Sequence, residues 1–167
     1  MSEQFEDALA NRSDPQIDAA VPSEGPSAGG DGDPLRVMHV ESVLYDLTDP
    51  SPAIQLLEAE SPFRYLVVPI ALGDAISLQQ AHSGIDGRRP GTHELVTTVL
   101  TRLGAEVVSA RIVRLEAGVF YGELEIMGPR GRELFDCRTS DAITLALRQR
   151  VSAPVLCAES VLTAYYA

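Results

Sequence analysis

Apolar and polar positions alternate in the first part of the chain and predict strands there. Residues 36–46, 53–60 and 63–70 are rich in β-branched and aromatic side chains, and turn residues separate the three stretches. Such an order is typical of a meander. Residues 73–82 then change to helical spacing, so we expect a short helix after the third strand.

Residues 92–104 predict a second helix with one apolar stripe. Thr92 is expected to cap its N-terminus, and Gly104 stands where a helix commonly ends. A stripe of this width is typical of a helix that packs on a core. It consists of Leu95, Val96, Val99, Leu100 and Leu103.

The remaining chain predicts three more strands, a third helix, a last strand and a C-terminal turn or helix. The strands cover residues 106–118, 119–127 and 132–137, the helix 140–150 and the last strand 153–160. Strands joined by tight turns and interrupted by helices indicate an α+β fold. We expect an antiparallel or mixed sheet with two to three packed helices.

Two related hexapeptides, GDAISL and SDAITL, each follow directly after an apolar strand. Their matched context favours a duplicated strand–helix unit over chance. Asp74 and Asp141 then hold the same place in the first turn of a helix, where the helix dipole stabilises a carboxylate. The two copies should superpose over residues 66–81 and 133–148.

Charge is concentrated at the N-terminus. Residues 1–34 hold eight acidic residues and one arginine, and they are rich in Gly, Pro and Ser. Such a segment buries too little apolar surface to fold, so we predict a disordered acidic extension over 1–34 and one domain over 35–167. The domain retains sixteen acids and twelve arginines. A protein of this charge is expected to bind nucleic acid weakly.

Cys137 and Cys157 lie in predicted strands and lack the spacing of metal ligands. We interpret them as buried small hydrophobic residues. The sequence contains no apolar signal core and no apolar window of membrane-spanning length. We therefore expect a cytoplasmic protein without a membrane partner.

The predicted hairpin brings two carboxylates together. If GPRG is a four-residue loop, Met127 pairs with Arg132, and counting back sets Glu123 opposite Asp136. Like charges in that position repel unless they are solvated, bridged by an arginine such as Arg138, or bound to a divalent cation. Oxygen ligands suit Mg²⁺ or Mn²⁺. Two solvated carboxylates on an outer face are the alternative.

The duplication helps to separate scaffold from site. Asp136 and Arg138 correspond to Pro69 and Ala71 in the first copy, so the unit folds without these charges and a functional role is favoured over a surface ion pair. By contrast, both copies carry an aspartate at the position of Asp141, which favours a structural role for Asp141. On this interpretation Asp74, the counterpart of Asp141 in the first copy, is dispensable for activity.

The residues around the helix starts have their own alternatives. Thr139 and Ser140 are interpreted as helix caps. Arg89, His93 and Glu94 surround the start of the second helix, where backbone N–H groups favour anions such as phosphate. There His93 could act as a general acid or base, or it could be an ordinary capping residue.

Three segments resemble the bifunctional nuclease family: RRPGTHELVTTVLTRLGAEV, GVFYGELEI and DCRTSDAITLALR. The resemblance covers roughly residues 36–162. Thr139 replaces the family's proline, Gly91 replaces a common leucine, and PIALGDAISL lacks a clear counterpart of the family's glutamate.

This resemblance implies a nuclease that hydrolyses DNA and RNA with a divalent cation. Glu123 and Asp136 would bind the metal, with Asp141 as a further candidate. The remaining roles would be phosphate binding by Arg138 and Arg89 and proton transfer by His93 or Glu94. The alternative is a non-catalytic regulatory or protein-interaction domain that forms a homodimer, which the acidic surface and the missing glutamate favour. With no lysine and only nine aromatic residues, none of them Trp, the chain also has little on which the bases of a single strand could stack.

Overall fold

The computed structural model describes residues 32–45 and 51–167. Residues 1–31 and 46–50 lie outside this part of the chain, and with them most of the predicted acidic extension and the first predicted turn. The strands are β1 (Leu35–Leu44), β2 (Ala53–Glu58), β3 (Tyr65–Pro69), β4 (Glu106–Glu116), β5 (Val119–Gly128), β6 (Gly131–Arg138) and β7 (Val155–Ala158). The helices are α1 (Leu72–His82), α2 (Thr92–Arg102), α3 (Thr139–Leu147) and α4 (Glu159–Tyr165).

These strands form one mixed sheet in the order β3-β2-β1-β7-β4-β5-β6. The neighbours β4 and β7 run parallel, and the other five pairs are antiparallel. The predicted α+β fold with a mixed sheet is therefore confirmed, and the C-terminal turn or helix is the helix α4. No described helix has the length and apolar character needed to cross a membrane.

The sheet is built from two units of the same order. In each unit a three-stranded antiparallel meander ends at a sheet edge and is followed by a helix: β1-β2-β3-α1 and β4-β5-β6-α3. Asp74 and Asp141 both lie in the first turn of their helix, as the hexapeptide repeat predicts. The duplicated strand–helix unit therefore exists, and its copies form opposite edges of the sheet.

The helix α3 lies in the core and explains the apolar run of the second copy. Seven of its nine residues are buried, among them Ile143 and Ala146. Gly122 on β5 lets α3 approach the sheet, because a Cβ there would stand 2.9 Å from the Cα atom of Thr139. The start of α3 is thereby fixed directly above β5.

Two expectations about helix starts are wrong. Gly91, not Thr92, is the N-cap of α2, and the Glu94 carboxylate accepts the Gly91 N–H from within the helix. Thr139 and Ser140 are the first residues of α3 rather than caps, because the chain is already helical at Thr139. Their hydroxyls bond to other elements.

Most of the predicted apolar stripe of α2 does not pack against the core. None of the eleven residues of α2, all of which the structure describes, is buried. Leu100 is half-buried and packs against the core, whereas Leu95 and Leu103 are exposed. Helical spacing shows that the apolar residues share a face, but it does not show what that face contacts.

Candidate active site

Arg138, the last residue of β6, is held by carboxylates from both copies of the duplicated unit. Its Nε and Nη2 donate to the two oxygens of Asp141 at 2.7 and 2.8 Å. Its Nη1 and Nη2 donate to Asp74 at 3.0 and 3.2 Å. Four of the five guanidinium N–H groups are used in this way, which leaves one N–H on Nη1.

His93 joins the same cluster through Asp141. Its Nε2 lies 2.9 Å from Oδ1 of Asp141, while Nδ1 has no hydrogen-bond partner in the part of the chain that the structure describes. The three helix starts of α1, α2 and α3 therefore meet around one guanidinium. We call Asp74, His93, Arg138 and Asp141 the helix-start cluster.

The charges of the cluster stabilise one another. Burial alone would raise the pKa of Asp141, but hydrogen bonds from Arg138 and His93, together with their charges, lower it below its ordinary value. The Asp141 carboxylate in turn raises the pKa of Arg138, and Asp74 adds to that effect. Asp141 therefore stays ionised in the folded protein and can orient the imidazole.

Two clefts border the cluster. The first, of about 320 Å³, lies between the end of β3, the β4–β5 turn and the start of α3, and Asp74, Arg138 and Phe120 line it. The second, of about 180 Å³, is lined by Arg89 and His93. Arg89 and His93 thus share a cleft at the start of α2, as the sequence predicts for a phosphate-binding segment.

The hydroxyls of Thr139 and Ser140 tie α3 to its surroundings. Thr139 Oγ1 donates to the carbonyl oxygen of Phe120 at 3.1 Å, and Ser140 Oγ donates to Asp74 at 3.2 Å. Both residues are buried. They position the helix-start cluster and do not cap the helix.

Glu94 lies beside the cluster but has other contacts. Its carboxylate accepts the backbone N–H groups of Gly91 and Gly87, which lower its pKa, and it pairs with Arg148 at 2.8 Å. These contacts fix the loop that precedes α2. Both oxygens of Glu94 are therefore engaged in the structure, and its part in proton transfer stays a prediction.

Glu123 and Asp136 face each other across β5 and β6, as the turn length predicts. Glu123 is only 3% exposed. Burial, followed by the charge of Asp136, raises the pKa of Glu123, although Arg111 on β4 partly offsets this. The two carboxylates therefore repel, and a cation between them would relieve the repulsion.

The predicted site residues thus fall into two groups. Arg89, His93, Arg138 and Asp141 surround the helix starts, whereas Glu123 and Asp136 form a separate pair on the sheet. The hydrogen bonds of Arg138 go to Asp74 and Asp141, so Arg138 does not bridge the sheet pair. Within the described residues, no group of three or more His, Cys, Asp or Glu side chains is placed to hold a metal ion.

Asp74, which the sequence assigns to the scaffold, belongs to the helix-start cluster in the structure. The signal that could have found it is the duplication itself. If two matching helix starts pack together, their matching aspartates face a common space, and a lone arginine beside one of them is then in reach of both. The sequence shows the pair of aspartates but not the packing of α1 against α3.

The fold and the cluster define a small α+β domain with a polar, ion-paired cleft at the meeting point of two duplicated units. The model of the bifunctional nuclease domain matches residues 55–166, and the chain belongs to this family. It is also 32% identical over 117 residues to an uncharacterized protein of Mycobacterium tuberculosis, found in the strains CDC 1551 and H37Rv. This match covers 66% of the chain and 64% of the relatives, so it spans less than two thirds of their length.

Proposed function

We propose that the chain is a nuclease that hydrolyses phosphodiester bonds of DNA and RNA with the help of a divalent cation. Membership of the bifunctional nuclease domain family supports the reaction class. The observation that carries the assignment of residues is the bond between His93 and Asp141, in a cleft that Arg89 also lines. An imidazole oriented by a carboxylate, with a guanidinium beside it, suits proton transfer at a phosphate ester.

Each member of the cluster has a part in this proposal. Asp141 holds His93 in one orientation, and the other ring nitrogen exchanges the proton of water or of the leaving oxygen. Arg89 contributes a charge to the phosphate, and Arg138 contributes its one remaining N–H and its charge. Asp74 and Asp141 keep the Arg138 guanidinium from rotating away from the cleft.

Glu123 and Asp136 are the proposed metal ligands. Two carboxylates are enough for Mg²⁺, which keeps several waters and completes its coordination with substrate phosphates. The raised pKa of Glu123 fits this assignment, because a cation would replace the proton that burial favours. A bound cation would polarise a phosphoryl oxygen and lower the pKa of a bound water.

The test is cleavage of single- and double-stranded DNA and RNA by the purified full chain, with Mg²⁺, with Mn²⁺ or with EDTA. We expect cleavage with a metal and none with EDTA. His93→Gln should lose about 10²- to 10⁴-fold in rate, the usual contribution of a general acid or base. No cleavage of any of the four substrates with either metal would overturn the proposed activity.

The metal assignment is tested by Asp136→Asn, which keeps the shape of the side chain and removes its charge. We expect the metal-dependent rate to be lost while the protein stays folded, with a slight gain in stability because Glu123 loses a repelling neighbour. Glu133→Gln on the same strand is the matched control, since Glu133 pairs with Arg130 instead. Full activity of Asp136→Asn would show that Asp136 does not bind the catalytic metal.

A further inference from the structure

Two buried polar side-chain atoms have no hydrogen-bond partner in the part of the chain that the structure describes. They are Oγ1 of Thr97 on α2 and Nε of Arg148, the residue that follows α3. The Arg148 side chain is only 9% exposed. A buried donor without an acceptor is destabilising, so such atoms are rare in native proteins and point to a bound molecule or a function.

Thr97 differs in this respect from the threonines beside it on α2. The hydroxyl of Thr98 donates to the carbonyl oxygen of Glu94 at 2.8 Å. The hydroxyl of Thr101 donates in the same way to the carbonyl oxygen of Thr97 at 2.9 Å. Such a bond to the preceding turn is the usual one for a threonine inside a helix. The Thr97 hydroxyl does not make it and is therefore available to a molecule outside the helix.

Thr97 and Arg148 line one cavity of about 330 Å³. It lies between α2 and the loop that precedes this helix, and the loop contributes Asp86, Gly87 and Pro90 to its wall. This volume is near the lower end of the range for small-molecule sites. The cavity can therefore hold one small molecule, of the size of a base with its sugar.

The charges of the cavity indicate what kind of molecule it takes. The Arg148 guanidinium pairs with Glu94 at 2.8 Å and with Asp86 at 3.3 Å, so two carboxylates surround one cation and a phosphate is disfavoured. Asp86 is 90% exposed and uses Oδ1 for Arg148, so its second oxygen can accept an N–H group. A neutral ligand with both acceptors and N–H groups fits, and nucleobases carry these side by side on one edge.

The cavity adjoins the cleft that Arg89 and His93 line. Gly87, Glu94 and Arg148 form part of the wall of both. The cleft offers a phosphate the charge of Arg89 and the N-terminus of α2, whereas the cavity offers hydrogen-bonding groups to a neutral ring. A nucleotide with its phosphate in the cleft would thus have its base at the mouth of the cavity.

We propose that this cavity is a nucleobase subsite. In it, Nε of Arg148 and the hydroxyl of Thr97 donate to acceptors of the base, and Asp86 accepts one of its N–H groups. The subsite rests on the proposed function, since the phosphate in the neighbouring cleft is that of the nucleic acid. It assigns recognition of the substrate base to α2 and the loop before it, apart from the residues of the helix-start cluster.

Calorimetric titration of the full chain in EDTA tests the subsite without cleavage. The probes are the four ribonucleoside 5′-monophosphates and ribose 5-phosphate, which lacks a base. At least one nucleotide should bind about tenfold more tightly than ribose 5-phosphate. Thr97→Val keeps the shape of the side chain and should weaken that nucleotide about three- to tenfold, the usual effect of one lost hydrogen bond. Its affinity for ribose 5-phosphate should not change.

Thr98→Val is the matched control, because Thr98 lines the same cavity but its hydroxyl already bonds to α2. It should bind nucleotides like the wild type, and so should Thr97→Ser, which keeps the hydroxyl. Equal affinity for all five probes, no measurable binding of any of them, or equal losses in Thr97→Val and Thr98→Val would overturn the subsite. Base-dependent binding by a chain that cleaves nothing would support the subsite and overturn only the proposed activity.

Discussion

Arg64 and Arg138 are bound in nearly the same way in two separate ion-pair clusters. Arg64 donates four hydrogen bonds to two carboxylates, Glu58 on β2 and Glu159 at the first residue of α4. Arg138 also donates four, to Asp74 and Asp141, each in the first turn of a helix. In both cases a guanidinium joins a helix start to a second element.

The two clusters differ in their surroundings. The Arg64 side chain is 20% exposed and that of Glu58 1%, and Arg36 adds a further hydrogen bond to Glu58 at 2.6 Å. The Arg138 side chain is 63% exposed, lines a cleft, and shares Asp141 with a histidine. The same ion-pair geometry therefore stabilises the fold where it is buried, and where it is open we propose that it positions groups for a ligand.

The largest effect is expected from Glu58→Gln. The change removes the buried charge that Arg64 and Arg36 share, although Arg64 keeps its hydrogen bonds to Glu159. Breaking a buried ion pair in this way costs about 3–5 kcal/mol of the free energy of unfolding. The specific activity of the folded protein should be unchanged, since Glu58 does not contact the helix-start cluster. Urea unfolding and a cleavage assay, run together, check this.

The pH dependence of stability gives a second readout of the same variant. Hydrogen bonds from Arg64 and then Arg36 outweigh burial and lower the pKa of Glu58 from 4.5 to about 2. A carboxyl group whose pKa is lowered in the folded state stabilises the fold at pH values above its ordinary pKa. This stability is lost as the pH falls from about 4.5 towards 2. Glu58→Gln should therefore unfold with a flatter pH dependence in that window. An equally steep dependence would contradict the assignment.

Arg138→Gln should lose activity and keep most of its stability, the opposite of Glu58→Gln. Exposed ion pairs contribute about 0–1 kcal/mol, so the free energy of unfolding should change little. Activity should fall by about 10²- to 10³-fold, because a fixed cation beside the phosphate is lost. Arg114→Gln is the matched control, since Arg114 is also exposed and pairs with Glu116. A variant that is unstable yet fully active would make Arg138 a second structural ion pair.

Local rules predicted the parts of the site that lie close in sequence. The length of the β5–β6 turn fixed the register, so Glu123 opposite Asp136 could be derived by counting. The repeat likewise predicted that Asp74 and Asp141 begin matching helices. Both inferences depend on hydrogen-bond geometry within one hairpin or one helix, which a sequence encodes directly.

Contacts between distant elements could not be derived in this way. Arg138 and Asp74 are 64 residues apart, and their contact depends on how α1 packs against α3. The orientation of α2 is a similar case, since spacing defines its apolar face while tertiary contacts decide which face turns inward. The Arg64 cluster was missed for the same reason, because Glu159 lies 95 residues from Arg64.

The smallest effect, and the sharpest test of the comparison, is expected from Asp74→Asn. The sequence indicated that this residue is dispensable for activity, but in the structure it accepts two of the four hydrogen bonds of Arg138. We expect kcat to fall about tenfold, or about 1.4 kcal/mol, because the guanidinium is held less firmly. Asp141→Asn should lose more, since it also releases His93.

The change in KM of Asp74→Asn shows whether Asp74 positions Arg138 for catalysis or only stabilises the fold. Removing the Asp74 carboxylate makes the cleft less negative and frees guanidinium N–H groups, so KM for the nucleic acid should fall while kcat falls with it. Asp74→Glu, which keeps the charge, should restore part of kcat. Unchanged kcat and KM with a lowered melting temperature would show that Asp74 only joins α1 to β6, as Glu58 joins β2 to Arg64.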